Sequence, residues 1–236
     1  MFFLHGVIDE VEAVTDRMRR IRVTGADLRG PHWQDWKPGQ QVRVNVIPPR
    51  QWLRRPMDAR RTYSIWRLDP AEGRLDLCVL DHGDGPGALW SRRAEAGQPV
   101  SLSKPEGRFT LRESPRHLFI GDETAAVPFA AMLRALPPEA RVDGVLETDG
   151  PDGEVPLPDG RALPWVHRGR ASGADSATLL DAARALELPG EPGVAYLAGE
   201  ARTCQAIRQH LLRDRAWPRD RIVVKPFWTP GRRGME

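Results

Sequence analysis

The sequence predicts a chain in two parts, an all-β half followed by an α/β half. Three observations carry this. Apolar and polar residues alternate in five short runs before residue 81, the period of half-buried strands. Near Pro115 the texture changes to short, continuously apolar runs that alternate with stretches of apolar residues at helical spacing, the pattern of a parallel sheet with crossover helices. Clusters of Gly, Pro and Asp punctuate both halves. The boundary falls near residues 111–116, so the expected domains are 1–112 and 113–236.

Taken in order, the strands of the first half are Gly6–Val14, Arg20–Thr24, Gln41–Ile47, Arg61–Leu68 and Arg74–Leu80. Turn material separates them, including Lys37-Pro38-Gly39, Pro48-Pro49 and Asp69-Pro70. Strands this short and this closely spaced build a small antiparallel barrel or sandwich. Residues 48–60 are irregular, rich in arginine, and expected to form a mobile loop. A short helix over Ala88–Ala96 follows, then a strand over Gln98–Leu102, with Pro105–Phe109 closing the region. In the second half the expected strands are Arg116–Gly121, Arg141–Glu147, Leu163–His167, Gly193–Ala198 and Arg221–Pro226. The expected helices are Ala125–Leu136, Ser176–Leu186 and Thr203–Asp214, with Asp175 or Ser176 capping the second of them.

Composition narrows the function classes. The 236 residues suffice for two modest cores. Net charge is +3, and of 35 basic residues only Lys37, Lys104 and Lys225 are lysines. The 32 acidic residues nearly balance them, and no basic block with interleaved aromatics points to nucleic acid. The two cysteines, Cys78 and Cys204, read as buried thiols in a reducing compartment. Two cysteines alone build neither a four-cysteine iron–sulfur site nor a zinc cluster. The first residues lack the long apolar run of a signal peptide, and no run approaches the ~20 apolar residues of a membrane span. A cytoplasmic monomer is expected.

Five strings carry candidate chemistry. Arg61-Thr62-Tyr63-Ser64 lies on a strand, so Arg61 and Tyr63 share one face and Thr62 and Ser64 the other. A guanidinium beside an aromatic plane and a hydroxyl suits a flat, anionic ligand such as a flavin nucleotide. Asp81-His82-Gly83-Asp84-Gly85-Pro86-Gly87-Ala88 is a glycine-rich turn at a helix start, where free amides suit a pyrophosphate. Its G-x-G-x-x-A spacing is no dinucleotide fingerprint, since it follows antiparallel strands and not a βαβ unit. Gly121-Asp122-Glu123-Thr124-Ala125 and Ala198-Gly199-Glu200-Ala201 both stand at strand ends, where open α/β sheets bind ligands. Asp122 and Thr124 also suit helix capping, and Gly199 permits close approach to the backbone. Phe227-Trp228 offers aromatic planes that suit either ligand shielding or core packing.

Together these strings resemble the siderophore-interacting proteins, flavin-dependent ferric-siderophore reductases of the ferredoxin-reductase superfamily. RTYS at 61–64, VLDHGDGPGALW at 79–90, GDETA at 121–125, AGEA at 198–201 and FW at 227–228 occur in the family's order and spacing. The resemblance implies an FAD-binding β-barrel followed by a nicotinamide-binding-type domain. It implies that Arg61, Tyr63 and Ser64 hold the flavin and its phosphate, and that Asp81 and His82 line the flavin. Gly85, Pro86, Gly87 and Ala88 would face the pyrophosphate, with Thr124 and Ala125 approaching from the second domain. Gly199 and Glu200 would lie on the electron-donor side, with Trp228 near the cofactor. The family's usual Gly-Tyr-Trp is Pro226-Phe227-Trp228 here, which keeps the aromatic plane and drops a hydroxyl. The chain stops soon after Trp228, a feature of members expected to take electrons from a ferredoxin, whereas those with a further helix resemble NAD(P)H users.

The function expected on this resemblance is electron transfer from NAD(P)H or a ferredoxin, through FAD, to Fe(III) in a siderophore. Arg50, Arg54, Arg55 and Arg60 are the candidates for steering an anionic ferric siderophore. No metal ligands or catalytic residues are expected, because no protein acid, base or nucleophile is needed. Two other readings stand beside it: a general flavin reductase acting on an electron carrier or free flavin, and a non-catalytic siderophore-binding protein.

Overall fold

The alternation of the first hundred residues folds into a closed antiparallel barrel. Its strands are β1 (Leu4–Ala13), β2 (Met18–Thr24), β3 (Gln41–Asn45), β4 (Arg60–Asp69), β5 (Arg74–Leu80) and β6 (Pro99–Leu102). They run in the order β1-β2-β5-β4-β3-β6, and β6 pairs back onto β1 with Leu4 opposite Leu102. Closure removes the free edges that a sandwich would keep. This computed structural model describes residues 3–47, 60–188 and 190–232. The chain divides into two compact units, Met1–Thr110 and Leu111–Met235.

Inward-facing Ile8, Ile21, Val23, Val42, Val44, Ile65, Leu75, Leu77 and Leu102 fill the barrel. Each such aliphatic side chain contributes about 2 kcal/mol on burial. Two short 3-10 turns, Ala26–Arg29 and Pro31–Trp33, add Leu28 and Trp33 to this core, and the Trp33 indole donates to the Asp27 carbonyl at 3.0 Å. Neither turn has the length to show a periodicity in sequence. On the outside, Arg22 bridges Asp76 at 2.8 Å and Glu10 at 2.8 Å, and Arg20 meets Glu10 at 2.9 Å. Part of the arginine excess is therefore paired on the barrel wall.

The helix expected at 88–96 is α1, Pro86–Arg92. Proline at its first position lacks the N–H that would go unsatisfied there and presets φ for a helix. Residues 105–109, which close the region after β6, form no strand. They contribute one isolated bridge, Gln41 with Glu106.

The second unit is a five-stranded parallel sheet. It comprises β7 (Arg116–Asp122), α2 (Ala126–Ala135), β8 (Arg141–Thr148), β9 (Trp165–His167), α3 (Ala177–Ala185), β10 (Val194–Glu200), α4 (Ala201–Arg213) and β11 (Ile222–Trp228), with strand order β11-β10-β7-β8-β9. Alternate residues of β7 serve opposite faces. Leu118 and Ile120 join Leu179, Ile207 and Leu211 of α3 and α4, whereas Phe119 meets Phe129 of α2 edge-on at 5.0 Å. Pro226, which has no N–H for a ladder, sits in the edge strand β11, where proline is tolerated. α4 starts at Ala201, two residues before the expected Thr203, because Glu200 caps it.

Candidate functional site

In the barrel, the pairing of β3 with β4 puts Val42 opposite Tyr63 and Val44 opposite Arg61. Opposite residues share a face, so Arg61 and Tyr63 lie on the side of the buried valines. Thr62 and Ser64 lie on the other side, opposite Arg43 and Gln41. The Tyr63 ring stacks on Trp90 of α1, with centroids 5.7 Å apart. Its hydroxyl is buried and has no hydrogen-bond partner among the described residues. Burial pushes the phenol pKa well up, against a smaller opposing pull from Arg61, so the hydroxyl keeps its proton. A Cβ on Gly87 would lie 2.5 Å from that hydroxyl oxygen. Glycine at 87 is thus required by Tyr63, a reason the sequence did not show. Arg61 donates to the Arg60 carbonyl at 2.6 Å, and the Arg60 guanidinium stands 4.9 Å above the Phe3 ring. Arg50, Arg54 and Arg55 lie outside the described residues.

The glycine-rich turn is braced by a residue the motif did not single out. Arg92, in the last turn of α1, donates from Nε to both Asp81 oxygens at 2.9 Å, from Nη1 to Asp84 at 3.0 Å and from Nη2 to the Gly83 carbonyl at 2.7 Å. The Arg92 hydrogen bond holds the Asp81 carboxyl below its ordinary value, although burial opposes this. His82, Gly83, Asp84 and Gly85 are exposed. In α1, Leu89 N–H bonds the Gly85 carbonyl, and Pro86 has no N–H. The Gly87 and Ala88 amides belong to the first turn, which has no intrahelical acceptors.

In the second unit, the sequence-predicted strings meet at the carboxyl ends of the strands. Asp122 ends β7 and is buried. Its Oδ1 accepts from the Thr124 N–H at 2.9 Å and from the Thr124 hydroxyl. Its Oδ2 accepts from the Glu200 N–H at 3.0 Å and from the Trp228 indole N–H at 2.7 Å. The Asp122 carboxyl is pushed up to about 6, first by burial and then by the neighbouring Glu123. Gly199 has φ +121°, and a Cβ there would lie 2.5 Å from the Asp122 carboxyl. The space over Gly199 that the sequence suggested for a ligand is therefore filled by a side chain of the protein itself. Ala125 is buried, and its methyl would crowd any side chain at Gly121. Asp122 does not act as the helix cap; Ala125 occupies that position.

Glu200 is buried as the cap of α4, with Oε2 accepting from the Thr203 N–H at 2.9 Å and the Asp175 N–H at 3.1 Å. Burial raises its pKa, yet the N–H groups of Thr203, Arg202 and Asp175 outweigh that and hold it below the ordinary value. Ser176 caps α3, accepting from the Leu179 N–H at 3.2 Å and donating to Glu147. Arg168 forms a two-point pair with Glu123 at 2.7 and 3.0 Å. Ser176 is thus the cap expected from sequence, whereas Glu147 and Arg168 had no motif to mark them; the signal, in retrospect, is polar residues at strand ends of a parallel sheet. Among the described residues, no group of three His, Cys, Asp or Glu is placed to hold a metal ion. No described helix is long and apolar enough to cross a membrane.

Comparison with known proteins agrees with this architecture. The family model described as siderophore-interacting protein matches residues 114–231, and that of the siderophore-interacting FAD-binding domain matches residues 7–109. The chain belongs to the siderophore-interacting protein family. An uncharacterised Mycobacterium tuberculosis protein is 34% identical over 181 residues, covering 72% of this chain and 62% of its own length. The chain thus spans about three fifths of that relative. The ferric vibriobactin reductase ViuB of Vibrio cholerae is 26% identical, with 93% of this chain and 86% of that protein covered. The crystal structure of a siderophore utilization protein from T. fusca superposes with a TM-score of 0.83 at 24% identity, covering 100% of this chain and 95% of that one. A barrel followed by a parallel α/β sheet is the ferredoxin-reductase-like architecture of FAD- and NAD-binding reductases.

Proposed function

We propose that this family member is an FAD-dependent reductase of ferric siderophores. The observation that carries the reading is the Tyr63 hydroxyl, buried and without a partner beside Gly87 and Arg61 in the unit that matches the FAD-binding family model. A buried polar atom left unpaired costs about 1–3 kcal/mol. A bound cofactor that hydrogen-bonds to it recovers that cost, so the residues present fit FAD. Arg61 supplies charge for its phosphate, Ser64 a hydroxyl for a ring edge, and the Gly85–Ala88 turn its free amides. Asp81 is held by Arg92 and therefore acts by shaping the turn, while exposed His82 is available to the ligand. The resemblance assigns Thr124, Ala125 and Trp228 to the cofactor and Gly199 and Glu200 to the donor, and all five belong to the second unit.

The chemistry FAD supplies when bound is the splitting of a donor's reducing equivalents into single electrons for Fe(III). Fe(II) is held less tightly than Fe(III) by hard oxygen ligands and leaves the siderophore. Arg60, with Arg50, Arg54 and Arg55 near it in sequence, attracts the anionic iron complex. The donor is NAD(P)H or a ferredoxin-type protein, and the site of action is the cytoplasm.

The deciding measurement is the visible spectrum of the protein with FAD, taken anaerobically with NADH, NADPH, a reduced ferredoxin and a ferric siderophore. The expected result is a flavin spectrum that bleaches with one donor and recovers with the iron complex. A flavin that bleaches but does not recover with any ferric siderophore points to a general flavin reductase. Absence of any flavin spectrum after adding FAD overturns the reading in favour of a siderophore-binding protein.

A further inference from the structure

The segment that joins β9 to α3 is held at both ends and exposed in the middle. At its start, the Arg168 guanidinium pairs with Glu123 at 2.7 and 3.0 Å and stands 3.5 Å from Glu147. At its end, the Asp175 N–H meets Glu200 at 3.1 Å, the Ser176 N–H meets the Thr203 hydroxyl at 2.9 Å, and the Ser176 hydroxyl donates to Glu147. Between these anchors, residues 169–172 are exposed. Gly173 then folds back over the crevice at the carboxyl ends of β7, β8 and β10, where a Cβ would lie 3.2 Å from Arg168 Nε. The crevice is lined by Asp122, Glu147, Glu200, Thr203 and Cys204 and has no room for a water molecule. Two carboxylate oxygens of its lining residues, Glu147 Oε2 and Glu200 Oε1, are buried and accept no hydrogen bond from the described residues.

We propose that residues 168–176 form a strap, latched by Arg168, that opens over the strand ends of the second unit while the sheet beneath stays folded. The closed strap keeps two carboxylate oxygens away from water at a cost in desolvation, and opening hydrates them. Asp175 adds a φ of +53°, a left-handed conformation that a residue other than glycine adopts at a cost. What opposes opening is polar and local. Of residues 168–176 only Ser176 is buried, and none is a large apolar residue, so lifting the segment gives up little of the core. Few buried apolar contacts and exposed backbone are the marks of a segment that opens below the global unfolding free energy. Open α/β sheets take ligands at their strand ends, so in this unit a ligand reaches the crevice only once the strap lifts. The inference concerns the second unit alone and holds whether or not the flavin reading does.

Cys204 reports the opening, since it lines the crevice from α4 and is buried. Burial, then Asp122 and Glu200, push its thiol pKa up, so it is unreactive while the strap is shut. The test is alkylation of the whole protein by iodoacetamide, a small neutral reagent, followed at Cys204 by peptide mass spectrometry at increasing urea below the unfolding transition. Lifting the strap exposes little surface, so the expected rate is nearly independent of urea. Arg168→Ala leaves Glu123 and Glu147 unpaired in the closed state and is expected to speed Cys204 labelling about tenfold with the same flat urea dependence. Gly173→Ala removes no ion pair but crowds the guanidinium, and is expected to speed labelling severalfold. A Cys204 rate that climbs with urea as steeply as global unfolding overturns the proposal. So does a flat rate that neither variant changes, because Cys204 is then reached by another route. Gly173→Ala decides should Arg168→Ala fail to fold.

Discussion

Tyr63 shows how a single residue can carry both a stability cost and a function. Its ring is well placed against Trp90, but its hydroxyl is buried without a partner among the described residues. Removing that oxygen removes an unsatisfied group and leaves the stacking, so Tyr63→Phe should stabilise the FAD-free protein by about 1–2 kcal/mol while weakening FAD binding. Thermal melts without cofactor and an FAD titration check the two halves, and a destabilised variant contradicts the assignment. Asp122 makes the complementary case. Burial, and then the neighbouring Glu123, push its carboxyl up to about 6 in the folded chain. A raised folded value means the group favours folding most below its unfolded pKa, and that advantage is lost as pH rises through 6. Asparagine has no such titration. Denaturant unfolding at several pH values should therefore show the wild type losing stability relative to Asp122→Asn between about pH 4 and 6.5.

At the level of elements, the sequence was read well wherever a local period exists. β5 was expected and found at Arg74–Leu80, and β4 differs from its expected range by one residue at each end. The central parallel strands β7 and β10 were legible because both of their faces are buried. What escaped was fixed by contacts between residues distant in sequence. Gly87 looked like a phosphate-facing glycine, but its lack of a side chain is also demanded by Tyr63, twenty-four positions earlier. Gly199 looked like an opening for a ligand, but its space belongs to Asp122. Arg92 carried no motif, yet it ties Asp81, Gly83 and Asp84 to the end of α1. This brace leads to a prediction. Arg92 is partly exposed, so its ion pairs add little to global stability. Its value lies in preorganising the turn, which lowers the ordering cost of binding. Arg92→Ala should weaken FAD about tenfold, while shifting the melting temperature by less than about 3 °C. A large drop in melting temperature with unchanged FAD affinity would make the brace purely structural.

Across the whole molecule, the fold class was legible because composition and period change together near residue 115, and the five motif strings then occur in one family's order. Their division between the two units leads to the last prediction. Arg61, Tyr63, Ser64, Asp81, His82 and the Gly85–Ala88 turn all belong to the first unit, as does the brace from Arg92. That unit has its own apolar core and a barrel closed on itself, so it leaves no strand edge waiting for a partner. A fragment of residues 1–112 should accordingly unfold cooperatively and still bind FAD. It should lose reduction by the physiological donor, since Gly199 and Glu200 belong to the other unit. Circular dichroism melts, FAD titration and anaerobic donor addition test these three statements separately. A folded fragment with no FAD affinity would place the decisive contacts in the second unit. A fragment that still accepts electrons from the donor would remove Gly199 and Glu200 from the donor's path.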